Sequence, residues 1–204
     1  MPTSEASIEI ISPVIESCLE SLLPSRHPIL REMEAEARRR GFPIVGPVVG
    51  SLLALLTRAI GARTVLEIGC GFGYSAFWFA QALPPDGHLI AIEANPDNAL
   101  DAQAYFACAG LEGRATFKTG DALELIEAEA GPFDIIFNDI DKDAYPEVPP
   151  KALPRLRTGG LLLSDNALWS GRVAEPPADS CTAGVQTYNR MVASDTSLIK
   201  LKED

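Results

Sequence analysis

The sequence predicts an α/β fold: a doubly wound, mostly parallel sheet with extra helices at its N-terminal end. Three observations predict it. From Arg63 onward five short apolar runs alternate with helical stretches, a pattern that requires right-handed crossovers and a sheet covered on both faces. Polar or glycine-rich residues follow these runs: Glu67 to Gly73, Glu93, Gly120-Asp121, Asp139 and Asp165-Asn166. Sheets of this class bind ligands there, beyond the carboxyl ends of the strands and where strand order reverses. Before Arg63 the apolar residues recur at helical spacing. The 204 residues, 47% hydrophobic and 22% charged, amount to one domain of ordinary size and exclude a disordered chain or a disulfide miniprotein.

Taken in order, Ile8, Ile11, Ile15, Leu19 and Leu22 share one face of a docking helix over residues 5–23, bent or interrupted near Pro13. A second helix runs from Pro28 to Arg40 and ends at Gly41; a third runs from Pro47 to Ile60 and ends at Gly61. The strands are Thr64–Ile68, Leu89–Glu93, Ala115–Thr119, Phe133–Asn138 and Gly160–Ser164, with helices expected over 74–83, 96–109, 121–129 and 145–157. His27 and His88 read as turn residues. The sequence contains no internal repeat or low-complexity linker.

The charge balance, 17 basic against 28 acidic residues for a net −11, disfavours general binding to phosphate backbones. The one basic cluster, Arg38-Arg39-Arg40, follows Glu32, Glu34 and Glu36. Acid first and base last suits the helix dipole and offers Glu34–Arg38 and Glu36–Arg40 pairs, so this is a solvated helix end. Cys18, Cys70, Cys108 and Cys181 are widely spaced, which suggests neither a zinc site nor a disulfide framework and fits a reducing cytoplasm. The apolar stretch around Val48 to Leu56 falls far short of the roughly 20 residues of a membrane span. The acidic start lacks a basic export signal, so no membrane partner is expected.

The segment from Val65 to Ser75 ends a strand, passes Gly69, Gly71 and Gly73, and opens a helix. Glycines permit a tight turn and close backbone approach to a ligand. The spacing is GxGxG, and Tyr74 stands where a dinucleotide fingerprint has its third glycine, which weakens a pyrophosphate reading. Glu93 ends the second strand about 20 residues later, where a carboxylate can accept from both hydroxyls of a ribose. Glu67 would set a negative charge beside that nucleoside, which suits a cationic sulfonium bearing an amino group better than a pyrophosphate. The pattern favours S-adenosylmethionine over a nicotinamide cofactor. Taken singly, the glycines also suit a bare strand-to-helix turn.

The segments VLEIGCGFGYSAFWFA, LIAIEANP, TGDALELI, FDIIFNDIDKDAY and LLLSDNALWSGRVAEP, in that order, resemble the cation-dependent class I O-methyltransferases. That group contains the catechol and caffeoyl-coenzyme A O-methyltransferases and their bacterial relatives. The resemblance spans residues 26–200 and implies a single Rossmann-like methyltransferase domain over 1–204, with N-terminal helices in 1–60 and the core in 61–204. It further implies that Glu67, Gly69, Cys70 and Ser75 line the methionine part of the cofactor and that Glu93 binds the ribose. Asp121 and Ala122 would border the adenine, and Val45 and Asp139 would also face the cofactor.

Asp139, Asp165 and Asn166 follow the fourth and fifth strands. Two carboxylates and an amide suit a hard divalent cation such as Mg²⁺ and offer zinc no soft ligand, although Asp and Asn are also common turn residues after strands. The resemblance assigns these three as metal ligands, leaving about three of the usual six or so positions for substrate oxygens and water. It assigns Lys142 as general base. Asp141, also near the acceptor, has no assigned role. Trp169, Tyr145 and Phe42 could form an apolar wall for an aromatic acceptor or simply pack the core.

The function expected is methyl transfer to a hydroxyl of a small catechol-like or other phenolic acceptor, by an enzyme that works as a homodimer. Two alternatives are methylation of a hydroxylated nucleoside in RNA, disfavoured by the acidic balance, and a non-catalytic nucleoside-cofactor binder, which has no need of Lys142 or a metal triad. The family usually ends in an antiparallel strand pair. Ser197–Leu201 could supply its first member, and the pair is expected to be incomplete, leaving a sheet edge open.

Overall fold

The computed structural model describes residues 12–199. Helices α1 (Pro13–Leu22), α2 (Pro28–Arg40) and α3 (Gly46–Ala59) precede an alternation of strands and helices. It comprises β1 (Thr64–Ile68), α4 (Tyr74–Ala82), β2 (His88–Glu93), α5 (Pro96–Cys108), β3 (Ala115–Thr119), α6 (Ala122–Ala128), β4 (Phe133–Asn138), α7 (Val148–Ala152), β5 (Leu156–Ser164) and α8 (Ser180–Ser194). The five strands lie in the order β3-β2-β1-β4-β5, every neighbouring pair parallel. The chain builds outward from β1 to β3 and then returns to the other side of β1, so strand order reverses between β1 and β4.

The central strands are apolar along most of their length because both faces are covered. Val65, Leu66, Ile68, Ile135, Ile136 and Phe137 are all buried. On one side Val65, Ile135 and Phe137 pack with residues of α2, α3 and α4; on the other Leu66, Ile68 and Ile136 pack with Ile126 of α6 and Val148 of α7. Helix α4 is buried from Tyr74 through Ala80, which accounts for its lack of a polar face.

Several sequence expectations change. The docking helix begins at Pro13, which takes a first-turn position, while Ile8 and Ile11 lie outside the described residues. None of its residues is buried, and Ile15, Leu19 and Leu22 are exposed. The helix expected over 145–157 is broken into a 3₁₀ segment (Lys142–Glu147), the short α7 and a second 3₁₀ segment (Leu153–Arg155). Pro146, Pro149, Pro150 and Pro154 withhold the amides a continuous helix would need. Strand β5 starts at Leu156, ahead of Gly160, because an irregularity near Phe133 and Ile135 absorbs extra residues before regular pairing resumes at Leu161. His88 opens β2 and bonds Thr116, whereas His27 caps α2 by accepting from the Ile29 amide. Glu36 pairs with both Arg39 and Arg40, while Glu34 turns inward to Arg26 and Tyr74, leaving the Glu34–Arg38 pair unmade. Ser197–Ile199 forms no strand, and residues 200 and 201 lie outside the described residues.

Asp134, near the amino end of β4, ties the foot of the sheet together. It accepts from the amides of Arg63 (2.7 Å) and Thr64 (2.8 Å) and pairs with Arg157 at 2.5 Å. Burial alone would raise its carboxyl; Arg157 and the amides outweigh that and hold it at about 2 against an ordinary 3.8. A depressed folded pKa means stability that is fully present above pH 3.8 and lost as pH falls through 2. Asp134→Asn should therefore lower unfolding free energy by about 2 kcal/mol at neutral pH, with the difference from wild type shrinking below pH 4. Urea titrations at both pH values measure it, and an equal loss at both would refute this role.

Candidate functional site

Register brings the strand ends level. The Gly69 amide donates to the Ile92 carbonyl (2.9 Å), Asp139 to Ile68 (2.9 Å), Asp165 to Asn138 (3.0 Å) and Gly120 to Glu93 (3.0 Å). Each bond extends a parallel ladder one residue past the strand, so the loops after all five strands form one rim with the β1–β4 reversal at its middle. Glu67, Gly69, Glu93, Asp121, Asp139 and Asp165, chosen from sequence, all stand on or directly beneath that rim.

At Gly69 the backbone is left-handed (φ +83°), and a Cβ would stand 2.4 Å from the Asp139 carbonyl oxygen. Only glycine lets the β1 loop lie against the β4 loop this closely. Next to it Glu93 fixes the loop's path, Oε2 accepting from the Gly71 amide (2.8 Å) and Oε1 from the Asn95 amide (2.9 Å). Phe72 anchors the turn from below: it is buried, packs edge-on against Phe42 at 5.1 Å, and lies under the Arg40 guanidinium.

Glu67 is fully buried. Burial pushes its carboxyl up to about 8; the Ser75 hydroxyl, which donates to Oε1, opposes this, and the charges of Asp139 and Glu93 add to it. Its Oε2 is buried with no hydrogen-bond partner. An unpaired acceptor beneath a glycine turn fits a ligand carrying an ammonium group, which would satisfy the oxygen and favour its charged form. Burial pushes the Cys70 thiol well up, so Cys70 is an inert wall. Val45 precedes α3 and packs, half-buried, against the core. Asp121 caps α6, its Oδ1 accepting from the amides of Leu123 and Glu124, and Ala122 is half-buried beside it.

Lys142 is buried and donates to Asp139 Oδ1 at 2.7 Å and to the Ile140 carbonyl at 3.1 Å. Its ammonium lies 4.8 Å from the centre of the Tyr145 ring. Burial pushes the Asp139 carboxyl up to about 6; Lys142 pulls it down and the charge of Asp165 pushes it up. Two carboxylates that repel each other make a place where a cation is favourable. Among the described residues no trio drawn from His, Cys, Asp and Glu could hold a metal, so the third protein donor at Asp139 and Asp165 would be an amide such as that of Asn166. Such an all-oxygen set suits a hard divalent ion.

The aromatic wall expected from Trp169, Tyr145 and Phe42 is not one surface. Tyr145 is fully buried in a cluster with Val185 and Tyr188, with Trp169 packed at its edge, whereas Phe42 packs with Phe72 against the other core. Tyr145 is a support: its hydroxyl donates to the Asp165 carbonyl at 2.9 Å. Sequence reasoning also missed α8, which supplies Tyr188 and Asn189 to the same region; Asp179, its N-cap, and the spacing of Val185, Tyr188 and Val192 were the available signals.

Residues 21–201 match the family model described as O-methyltransferase. The chain is 38% identical over 159 residues to a catechol O-methyltransferase of Niastella koreensis, covering 76% of this chain and 72% of that one. It is 33% identical over 162 residues to caffeoyl-CoA O-methyltransferase 3 of Nicotiana tabacum, covering 73% and 67%. Among solved structures, an O-methyltransferase of Streptomyces achromogenes in complex with SAM aligns with a TM-score of 0.83 at 33% identity, covering 90% of this chain and 85% of that one.

Proposed function

This chain belongs to the O-methyltransferase family and is an S-adenosylmethionine-dependent enzyme, and on that footing we propose that it methylates one hydroxyl of a small catechol-like phenol with a divalent cation, Mg²⁺ or a similar hard ion, at the site. One observation carries this reading. The Gly69–Asp139 contact brings the end of β1, which carries the unpaired Glu67 oxygen, against the β4 loop, where Asp139 feels the charges of both Lys142 and Asp165.

Glu67 Oε2 would take the amino group of the methionine moiety, with Ser75 holding the other oxygen. Glu93, already oriented by two amides, would accept from the ribose hydroxyls. Gly69, Cys70, Val45 and Asp139 would close the pocket around the sulfonium, and Asp121 and Ala122 would flank the base. Asp139, Asp165 and Asn166 would hold the cation. When bound, the two groups supply an electrophilic methyl carbon and a Lewis acid that favours ionised hydroxyl oxygen. The residues then provide position, which is worth much of the barrier in a displacement between two bound reactants. Lys142, buried beside Asp139, would receive the acceptor's proton at its Nζ as the neutral amine, the form that the charge of a nearby cation favours over the ammonium.

The test is incubation of the protein with Mg²⁺ and methyl-labelled S-adenosylmethionine against vicinal diphenols, monophenols and RNA. Label should enter the diphenols. Transfer to RNA, or to monophenols as readily as to diphenols, would overturn the proposed acceptor.

A further inference from the structure

Asn166 adopts a left-handed conformation (φ +52°), and Trp169 and Ser170 repeat it three and four residues later (φ +45° and +53°). A non-glycine residue rests there at a cost of about 1–2 kcal/mol, and asparagine accepts it more readily than most. Such a turn persists when its surroundings hold it. Here the carbonyls on either side of Asn166 are both pinned by side chains. The Asp165 carbonyl accepts from the Tyr145 hydroxyl at 2.9 Å, and the Ala167 carbonyl accepts from Asn189 Nδ2 at 2.8 Å.

Asn189 belongs to α8, and α8 touches both halves of the site. Gly184 lies so close to the chain at Lys142 that a Cβ there would stand 2.3 Å from the Lys142 carbonyl oxygen. One turn further along, Tyr188 packs edge-on against Tyr145 at 5.3 Å and shares a 2.5 Å hydrogen bond with Ser164, the last residue of β5. The helix therefore fixes the Asp139–Lys142 segment through its backbone contact and the Asp165–Asn166 segment through Tyr188 and Asn189.

We infer that Asn189 is a positioning residue that sets the Asn166 amide as a cation ligand by holding the Ala167 carbonyl, an inference that rests on the cation reading above. Hydrogen-bonding partners behind a metal ligand typically contribute about 10–100-fold to metal affinity. Mn²⁺ titrated into the full chain with saturating S-adenosylhomocysteine, read by the electron paramagnetic resonance of free Mn²⁺, measures this directly. Asn189→Leu, close in size but without the donor, should raise the Mn²⁺ dissociation constant about 10–100-fold while calorimetry shows S-adenosylhomocysteine affinity unchanged. Asn189→Ala, which likewise removes the donor, supplies the same comparison should the leucine variant fail to fold. A folded variant that binds Mn²⁺ as wild type does would overturn the inference, as would a parallel loss of both affinities with a lowered unfolding temperature. If wild type and Asp165→Ala alike fail to bind Mn²⁺, the cation reading itself falls and Asn189 loses this role with it.

Discussion

Asp165→Ala should lower methyl transfer about a thousandfold or more while leaving S-adenosylmethionine affinity essentially unchanged. Loss of a cation's charge stabilisation is worth several kcal/mol, and about 4 kcal/mol is a thousandfold in rate. The two effects separate because Asp165 stands on the β5 loop, two strands away from β1 and the turn after it, which carry Glu67 and Gly69. Removing it also ends the repulsion that helps raise the Asp139 carboxyl, leaving Asp139 paired with Lys142 alone. Single-turnover kinetics and calorimetry on the same preparation measure the pair of quantities. Near-normal turnover would remove Asp165 from the mechanism, and equal losses of turnover and cofactor affinity would mean that the substitution only disturbed the fold.

Glu93→Ala should weaken S-adenosylmethionine binding by about 1.5–3 kcal/mol, roughly 10–150-fold, the range for hydrogen bonds to a charged group. Two contributions act together. The ribose hydroxyls lose their acceptor, and the Gly71 amide loses the carboxylate that orients the glycine loop. Glu93→Gln separates them, since an amide oxygen can still receive one backbone N–H but cannot serve both sides of the site. Its affinity should fall between those of wild type and Glu93→Ala. Unaltered calorimetric affinity in the alanine variant would take Glu93 out of the cofactor site.

The parts of the fold legible in sequence were those with one dominant cause. Val65 to Ile68 and Phe133 to Phe137 are apolar runs because the sheet is covered on both sides, and the residues after them reach a common rim because parallel register leaves little alternative. Residues whose roles depend on distant partners were not legible. Tyr145 reads as a plausible acceptor wall until α8 packs Tyr188 and Val185 over it. Asn189 has no local feature that points to Ala167, 22 residues earlier in the chain. Glu34 reads as a surface partner for Arg38, yet Tyr74, 40 residues away, draws it inward. The proline-rich stretch from Pro146 to Pro154 carried a visible warning against a continuous helix, which its apolar spacing masked.

The most direct measurement is turnover of a vicinal diphenol by chelator-treated protein, before and after Mg²⁺ is restored. Methyl transfer should vanish on treatment and return on addition of the ion, with S-adenosylmethionine bound throughout. Undiminished transfer by the metal-free protein would contradict the account at its centre, because Asp139, Asp165 and Asn166 would then have no ion to hold.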